Sequence, residues 1–503
     1  MHIIMSDNGS VNNNLDNNSE QNTVSSKDQL KKYFDDLNVQ SNVVNYQLSS
    51  KTSTVVVIEG NKVSLANVLK AVLFKSSKKH LLVITAMDRL LDYVVLSREM
   101  CCDNLICDLD SPYAQYYDVN LNSYSPVPKY LNIQAVLDVK VKERLDPSWD
   151  IFISTGFDNT LLKLRCEDYF KIHTGMKAVH CSVDIAEVYD RPDLQLTRDN
   201  IVKRMNKVSL TERRMKERVN STFEMPVMPT MADQLLKLRI NPTADAHSLG
   251  KLVEQDPSLS AQLISWACSP YYGYSGKITS VEDAIIKVLG FDLVMNIALG
   301  IAIGQIMNVS NEGKLGLTNH WKHSLYAATF IEILVKKMPS AVKPYRGLAY
   351  LCGLLHNFGH LLLGQVFPQQ FHILNQMILV NANISILDVE HYLFDTDHQK
   401  IGSWLMQIWH MPEELAQAVA HHHDSNYVKE SNALYANLVL ITNRLLARNG
   451  IGDEFVELEV PEQILQNMQI SANDVEMIFQ EFWNNKEGLD NIINSFARSN
   501  NIN

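Results

Sequence analysis

The spacing of the apolar residues changes near Met225–Pro229, and this change limits the folds that the chain can adopt. Before residue 190, short β-branched or apolar runs such as Leu81–Thr85 are bounded by turn residues, which is typical of strands. Beyond residue 230, apolar side chains recur at helical spacing, as Leu259, Leu263 and Trp266 do. We therefore predict an α+β first half and an all-α second half without strands.

Two further apolar patterns predict individual helices. Leu65, Val68 and Leu69 follow helical spacing within the α+β half. Leu351–Leu363 is largely apolar, which indicates one continuous buried helix in the all-α half.

Composition excludes several classes of protein. The 503 residues are 46% hydrophobic and 20% charged, which suffices for buried cores and excludes wholesale disorder. A net charge of −11 argues against a chain that coats nucleic acid with a basic surface. No apolar run is long enough to span a bilayer. Seven cysteines without a CxxC pair indicate a reducing cytoplasm rather than a disulfide framework or a zinc ribbon.

The sequence predicts five segments. Residues 1–26 are Asn-rich and lack the basic and apolar stretches of a secretory signal, so we predict a disordered tail. An α+β domain at 27–190 and an all-α domain at 223–425 flank a basic, partly amphipathic helical connector at 191–222. Residues 426–503 are predicted to form a helical extension.

The connector carries a net positive charge within an acidic protein. It is either a solvated linker or a contact surface for RNA or a protein partner, with Arg213 and Arg214 as candidate contact residues. Salt-dependent tRNA binding that is lost when both arginines are neutralised would favour the contact surface.

The densest chemical pattern is a series of histidines that begins at His323. Histidine is a common ligand of transition metals, so a series spaced along helices suggests a metal site. His356 and His360 lie four residues apart on one face of the predicted helix, as in zinc proteases with the HExxH motif. Asn357 stands where that motif has its glutamate, which excludes the protease interpretation.

The order of these residues, with several flanking motifs, resembles the HDOD domain, a relative of the HD superfamily of metal-dependent phosphohydrolases. The matching segments, within about residues 218–425, are Met225–Pro229, Leu252–Leu259, Ile278–Gly290, Trp409–Pro412 and His421–His422. The resemblance implies a helical bundle for the second half.

By this resemblance, an active HD site holds cations with histidines and aspartates and activates water for phosphoester hydrolysis. Here Asn357 follows His356 in the signature doublet, Asn443 stands at the place of the late aspartate, and Cys268 replaces an asparagine of the HDOD pattern. An amide keeps an oxygen donor but loses the negative charge. The remaining, nearly all-imidazole site suits Mg²⁺ or Mn²⁺ poorly.

We therefore predict a degenerate site that binds no metal and uses no cofactor. Its members are His323, His356, Asn357, His398, His421, His422 and Asn443. The domain is then a helical interaction or signalling module that acts on protein partners in the cytoplasm, without membrane insertion. The alternative is a residual phosphohydrolase in which Asp395, Asp397 or Asp424 replaces the lost carboxylates.

The first half resembles the YbaK and prolyl-tRNA editing family, whose activity is hydrolysis of misacylated tRNA. The matching segments within residues 28–190 are Leu65–Lys75, Leu81–Ala86, Asp88–Asp92 and Ile151–Leu162. The resemblance implies a mixed sheet wrapped by helices, and it matches Lys70 to the family's pocket lysine, which would contact the aminoacyl end of tRNA. The other interpretation of Lys70 is a solvated lysine that flanks a strand.

One loop departs from this family's pattern. The family has a glycine-containing loop whose backbone approaches the substrate, whereas the corresponding Ser123–Tyr130 contains Pro126 and Pro128 but no glycine. We therefore predict weak or absent deacylase activity and a pocket that senses a tRNA-like or aminoacyl-type ligand. The alternative is an active aminoacyl-tRNA deacylase with the HDOD half as an accessory domain.

Overall fold

The structure is a computed structural model. It describes residues 26–48, 55–76, 79–102, 105–108, 113, 117–118, 123–156, 159–185, 188, 229–239, 241–268, 272–304, 309–453, 460–486 and 489–490. The chain forms two compact units, Met1–Ile185 and Ala186–Asn503. The predicted connector, with Arg213 and Arg214, and residues 1–25 of the predicted tail lie outside the described residues.

The first unit is built on a mixed sheet. The described strands of the unit are β1 (Ser41–Leu48), β2 (Val55–Ile58), β3 (Asn61–Ser64), β4 (Val68–Ser76), β5 (Lys79–Ala86), β6 (Arg89–Leu91), β7 (Ile106–Cys107), β8 (Tyr117–Asp118), β9 (Ser123–Tyr124), β10 (Gln134–Asp138), β11 (Asp150–Ser154), β12 (Thr160–Arg165), β13 (Lys177–Val179) and β14 (Ser182–Asp184). β6 and β14 pair in a separate two-stranded sheet, and the other strands belong to the mixed sheet. The main order is β13-β10-β5-β4-β11-β12-β1-β2-β3. β4 pairs antiparallel with β5 and parallel with β11, so both kinds of neighbour occur.

Strand β4 corrects one prediction. Leu65 lies in a single 3₁₀ turn, whereas Val68 and Leu69 begin β4 instead of continuing a helix. β4 is buried continuously from Val68 to Phe74. A short apolar run that is buried on both faces has no periodicity by which a strand differs from a buried helix, which is why the spacing misled.

Helices cover the sheet of the first unit. They are α1 (Ser26–Asp36), α2 (Tyr93–Glu99), α3 (Pro128–Leu131), α4 (Val139–Arg144) and α5 (Cys166–Ile172). Phe34 of α1, Leu73 of β4 and Tyr169 of α5 belong to one buried apolar cluster. Burying these apolar side chains against the sheet stabilises the unit.

The second unit is helical, and none of its described residues forms a strand. Its helices are α6 (Thr230–Arg239), α7 (Ala246–Val253), α8 (Pro257–Ala267), α9 (Val281–Ala284), α10 (Phe291–Gly304), α11 (Leu317–Lys337), α12 (Arg346–Leu355), α13 (Phe358–Val366), α14 (Pro368–Val380), α15 (Ile386–Phe394), α16 (His398–Ile408), α17 (Glu413–His421), α18 (Ala433–Ala447), α19 (Glu462–Asn467) and α20 (Ala472–Asn484), with a π-helical turn at Ile285–Leu289. This architecture, together with the mixed sheet of the first unit, confirms the predicted fold class.

The predicted helix over Leu351–Leu363 is interrupted. α12 ends at Leu355 and α13 begins at Phe358, so His356 and Asn357 lie between two helices. The prediction of one continuous helix was wrong. Because both helices are buried all round, the apolar pattern runs through the break without a change of period.

Two glycines bring α13 and α16 into backbone contact. A Cβ placed on Gly359 of α13 would lie 1.9 Å from the carbonyl oxygen of His398, and Gly402 of α16 faces the same contact. Only the absence of side chains allows this approach. The contact places the first turn of α16 beside the break between α12 and α13.

No helix among the described residues is long and apolar enough to cross a membrane.

All seven cysteines carry free thiols.

Candidate functional site

Buried polar side chains meet at the centre of the second unit. His323 projects from α11, His356 and Asn357 from the break after α12, His398 from the first turn of α16, and His422 from the end of α17. Each of these five residues is at most 4% exposed. We name the whole group the histidine cluster: His323, His356, Asn357, His360, Glu390, His398, His422, His423, Asn443 and Asp453.

Asp453 reaches the histidine cluster from a turn that follows α18. Gly450 and Gly452 adopt positive φ angles of 69° and 113°, and the buried Ile451 between them anchors the turn. A Cβ on Gly452 would lie 3.1 Å from Nε2 of His323, so a side chain here would press on that ring. Glycine therefore fits both the backbone angle and the space beside His323. Asp453, the next residue, is only 1% exposed.

Helix α15 supplies a second buried carboxylate. Glu390 accepts hydrogen bonds of 2.7 Å from Nε2 of His360 and from Nδ1 of His398. Burial by itself raises the pKa of Glu390, but the two imidazoles outweigh burial and hold the pKa well below its usual range. Since an ionised carboxylate only accepts hydrogen bonds, His398 carries a proton on Nδ1.

The two asparagines are joined through His323. Nε2 of His323 donates to Oδ1 of Asn443 at 3.0 Å. Nδ2 of Asn357 donates to Nδ1 of His323 at 3.2 Å and to Oδ2 of Asp453 at 2.8 Å. The positions at which the HD pattern has aspartates are thus held by amides in a hydrogen-bonded chain.

Two other rings direct an unprotonated nitrogen into the histidine cluster. Nδ1 of His356 donates to the carbonyl of Gly353, and Nδ1 of His422 donates to the carbonyl of Val419, both at 2.8 Å. Burial lowers the pKa of both imidazoles well below the usual value, so both rings are neutral. Nε2 of each ring is unprotonated and carries a lone pair. Among the described residues, Nε2 of His356 has no hydrogen-bond partner.

Several acceptor atoms converge around His422. Its Nε2 lies 3.1 Å from Nε2 of His398 and 3.2 Å from Oδ1 of Asn357. Oδ2 of Asp453 lies 3.8 Å from Nε2 of His398 and 3.7 Å from Nε2 of His423. One atom from each of His398, His422, His423 and Asp453 lies within 4.8 Å of the other three.

His421 lies outside the histidine cluster, contrary to the prediction. Its side chain is 33% exposed, and its ring stacks on Tyr427 with the centroids 3.9 Å apart. Consecutive residues at a helix end point in different directions, so His422 turns inward while His421 faces the surface. The double-histidine motif alone cannot distinguish the two.

The predicted substitute carboxylates do not enter the histidine cluster either. Asp397 caps α16 and bonds His391, Asp424 lies beside His421, and Asp395 ends α15. The predicted alternative, in which one of these three residues replaces the lost carboxylates, is therefore wrong in its choice of residues, and the expectation of a nearly all-imidazole site is corrected by two other carboxylates.

The carboxylates of the histidine cluster come from Glu390 and Asp453, which sequence reasoning missed. Glu390 has no local signal, because it sits within an ordinary amphipathic helix. The two glycines that precede Asp453 are the one sequence signal that points to it.

The predicted deacylase residues lie within the first unit. Lys70 on β4 is fully buried, which contradicts the interpretation of a solvated lysine. Burial lowers the pKa of Lys70 to about 7, against the opposing charge of Asp88. The loop at Ser123–Tyr130 packs into the same unit, where Oγ of Ser123 accepts from the backbone of Ala71. The match of Lys70 to a pocket lysine stays a prediction.

Comparison with known proteins places this geometry in a family context. Residues 225–425 match the family model of the HDOD domain, which confirms the predicted HDOD domain. The chain is similar to a candidate signal transduction protein from Marinobacter aquaeolei VT8, with a TM-score of 0.74 and 26% identity over 93% of this chain and 99% of that chain.

Two further relatives match the chain in part. An HDOD domain protein of unknown function from Geobacter sulfurreducens is 22% identical, with a TM-score of 0.46 over 56% of this chain and 95% of that chain. An uncharacterised protein of Treponema pallidum (strain Nichols) is 22% identical over 223 residues, or 43% of this chain. The match spans 42% of the length of that curated relative.

The HD superfamily implies a metal, so the donor atoms can be tested against one. The prediction of a metal-free site rested on the amides at Asn357 and Asn443, and Asp453 restores a buried carboxylate beside them. Oδ1 of Asp453 has no hydrogen-bond partner within the part of the chain that the structure describes. Imidazole nitrogens with one carboxylate fit a transition-metal ion, whereas Mg²⁺ prefers oxygen donors.

Proposed function

We propose that the protein acts in signal transduction by binding partner proteins, and that its HDOD domain does not hydrolyse phosphoesters. The observation that carries this proposal is the burial of the histidine cluster. The predicted members His356, His398 and His422 are 0% exposed, and Asn357 and Asn443 are 3% and 2% exposed. A phosphoester in solution cannot contact these side chains while the helices remain packed.

Hydrolysis would need more than access. In metal-assisted hydrolysis the phosphoryl oxygens bind the ion directly, and the ion keeps an open position for water. Here the helices α13 and α16 touch through Gly359 and Gly402, so substrate entry along that side would require their separation. These features favour a binding role over catalysis.

The likeness to the Marinobacter aquaeolei protein supports the same class, because it extends over both units rather than over the HDOD domain alone. Partner proteins in a signalling pathway, and action in the cytoplasm, remain our predictions for this chain.

A pull-down with the full chain tests the binding role. The chain is immobilised on beads and incubated with a lysate of the organism that encodes it. One portion of the lysate is treated with nuclease and the other is left untreated. We expect protein partners to be retained equally in both arms. Retention that depends on RNA would overturn protein binding and favour the predicted tRNA contact.

A phosphodiesterase assay tests the second half of the proposal. The full chain, supplied with Mn²⁺ or Zn²⁺, is incubated with bis(p-nitrophenyl) phosphate. We expect no turnover above that of a His422→Gln variant. Turnover that the variant loses would show an active phosphohydrolase and overturn the proposal.

The deacylase alternative has a test of its own. Because Lys70 is fully buried, we expect no Lys70-dependent discharge of a panel of misacylated tRNAs. Lys70→Met keeps the length of the buried side chain, and Lys75→Met on the exposed end of the same strand is the matched control. Rapid discharge that only Lys70→Met abolishes would establish the deacylase.

A further inference from the structure

We propose that His398, His422, His423 and Asp453 form a closed transition-metal site, in which Asp453 supplies the carboxylate that positions 357 and 443 have lost. The site goes beyond the proposed function, because it concerns what holds the centre of the second unit together. Asp453 lies beyond residues 225–425, so the ligand set extends outside the matched HDOD domain.

Hydrogen bonds orient two of the imidazoles for this role. Glu390 holds Nδ1 of His398, and the carbonyl of Val419 holds Nδ1 of His422. Nε2 of each ring is therefore the nitrogen that faces the site, and the two Nε2 atoms lie 3.1 Å apart. A carboxylate or carbonyl behind a metal-binding histidine is the usual way in which proteins select the ligating nitrogen.

A positive charge between the two Nε2 atoms would hold both of them at this short separation. A proton or a metal ion can supply this charge. Oδ1 of Asn357, 3.2 Å from Nε2 of His422, adds a third acceptor rather than a donor. The carboxylate of Asp453 adds negative charge to the same acceptor-rich space. A cation with several coordination positions satisfies all of these atoms, whereas one proton satisfies a single pair.

The spacing of the donor atoms matches a coordination shell. A tetrahedral ion with bonds of about 2.0–2.2 Å holds its ligand atoms about 3.3–3.6 Å apart. The recorded separations are 3.1 Å for His398 to His422, 3.8 Å for His398 to Asp453, and 3.7 Å for His423 to Asp453. Small side-chain movements bring these atoms onto one ion.

The chemistry of the ligands selects the class of ion. Three imidazoles and one carboxylate suit Zn²⁺, Co²⁺ or Fe²⁺ and disfavour Mg²⁺ and Ca²⁺. Burial closes the site on all sides, since the side chains of His398, His423 and Asp453 are at most 4% exposed. Four protein ligands without an open position are typical of structural sites, so the ion stabilises the fold and has no catalytic role.

Metal content of the untagged full chain tests the site. The protein is stripped with a chelator and titrated with Zn²⁺ against a chromophoric competitor, and bound metal is measured by mass spectrometry. We expect one ion per chain and a higher melting temperature for the loaded protein. A stripped chain that takes up no Zn²⁺ or Co²⁺ would overturn the proposal.

Two variants locate the ion. Asp453→Asn preserves shape but removes the charge, and we expect it to weaken Zn²⁺ binding at least about tenfold. His421→Gln, one residue before His422 but outside the histidine cluster, is the control and should bind as the wild type does. Unchanged affinity in Asp453→Asn, or an equal loss in both variants, would contradict the assignment.

X-ray absorption on the Co²⁺-loaded wild type keeps the test independent of variant folding. We expect a first shell of nitrogen and oxygen with imidazole scattering, and sulfur ligands would overturn the assignment. A metal-free result leaves the proposed binding function intact, whereas phosphodiester turnover would defeat that function without affecting the metal site.

Discussion

Each unit buries a polar cluster, and the two clusters differ in the groups that face their buried carboxylates. In the first unit, Oδ2 of Asp138 accepts from Thr85 at 3.0 Å and from Ser182, and it lies 3.3 Å from Nε of Arg89. We name these four residues the arginine cluster. In the second unit, Nε2 of His398 lies 3.1 Å from Nε2 of His422, and the histidine cluster as defined above contains no arginine or lysine.

The difference indicates which cluster contains a permanent positive charge. Arg89 brings a permanent positive charge and several N–H donors, so the buried Asp138 is neutralised by the chain itself. The histidine cluster contains Glu390 and Asp453 but no arginine or lysine, so none of its members carries a permanent positive charge. The arginine cluster therefore contains its own counter-charge, whereas the ion proposed above would supply the positive charge of the histidine cluster.

The largest expected effect comes from breaking the arginine cluster. Arg89→Met removes the charge opposite Asp138, which is 0% exposed, and we expect a loss of about 3–5 kcal/mol in the free energy of unfolding of the first unit. Hydrogen exchange of the amides in β5 and β10 measures it. Lys140→Met, which breaks an exposed pair with Glu143, should cost less than about 1 kcal/mol. Similar costs for both variants would refute the comparison.

A smaller effect is expected from separating the helices around the histidine cluster. Gly359→Ala places a Cβ against the carbonyl of His398, so α13 and α16 must move apart at a cost of about 1–3 kcal/mol. Hydrogen exchange in α13 reports the loss. Gly250→Ala in α7 is the control, because its Cβ meets Glu282 at 3.4 Å, an ordinary contact. A tolerated Gly359→Ala would show that the close approach is dispensable.

The smallest effect is a dependence on pH in the chelator-treated protein. Burial lowers the pKa of His356 and His422, so the unfolded chain binds more protons than the folded chain below about pH 6.5. The free energy of unfolding of the second unit should therefore fall on acidification, by about 1 kcal/mol between pH 6.5 and pH 6. The lowered pKa of Glu390 adds its own loss only at more acidic pH.

Urea denaturation, monitored by hydrogen exchange of the amides in α11 and α16, measures how the free energy of unfolding depends on pH. His421→Gln should retain this dependence, because His421 lies outside the histidine cluster. Stability that stays flat or rises on acidification would mean that the buried rings are already protonated in the folded chain.

Part of the site was predictable from local chemistry. The series from His323 to His422 marked the centre of the second unit, and the amides at Asn357 and Asn443 marked the departure from an HD site. These residues lie in motifs with local spacing, so the sequence order is enough to find them.

The remaining members of the histidine cluster depend on contacts across the fold. Glu390 reaches His360 and His398 only because α15 packs beside α13 and α16. Asp453 enters only because two glycines turn the chain after α18. No periodicity joins either carboxylate to the histidines, since the contacts are tertiary.

By itself the sequence determined the two-part architecture, because strand and helix periodicities are local properties of the chain. It also determined that amides replace aspartates at positions 357 and 443. Only the tertiary structure decided that helix α12 ends before His356, that His421 stays at the surface, and that Asp453 joins His398 and His422. These outcomes depend on how closely helices approach and which way side chains point. Both follow from packing between segments distant in the chain.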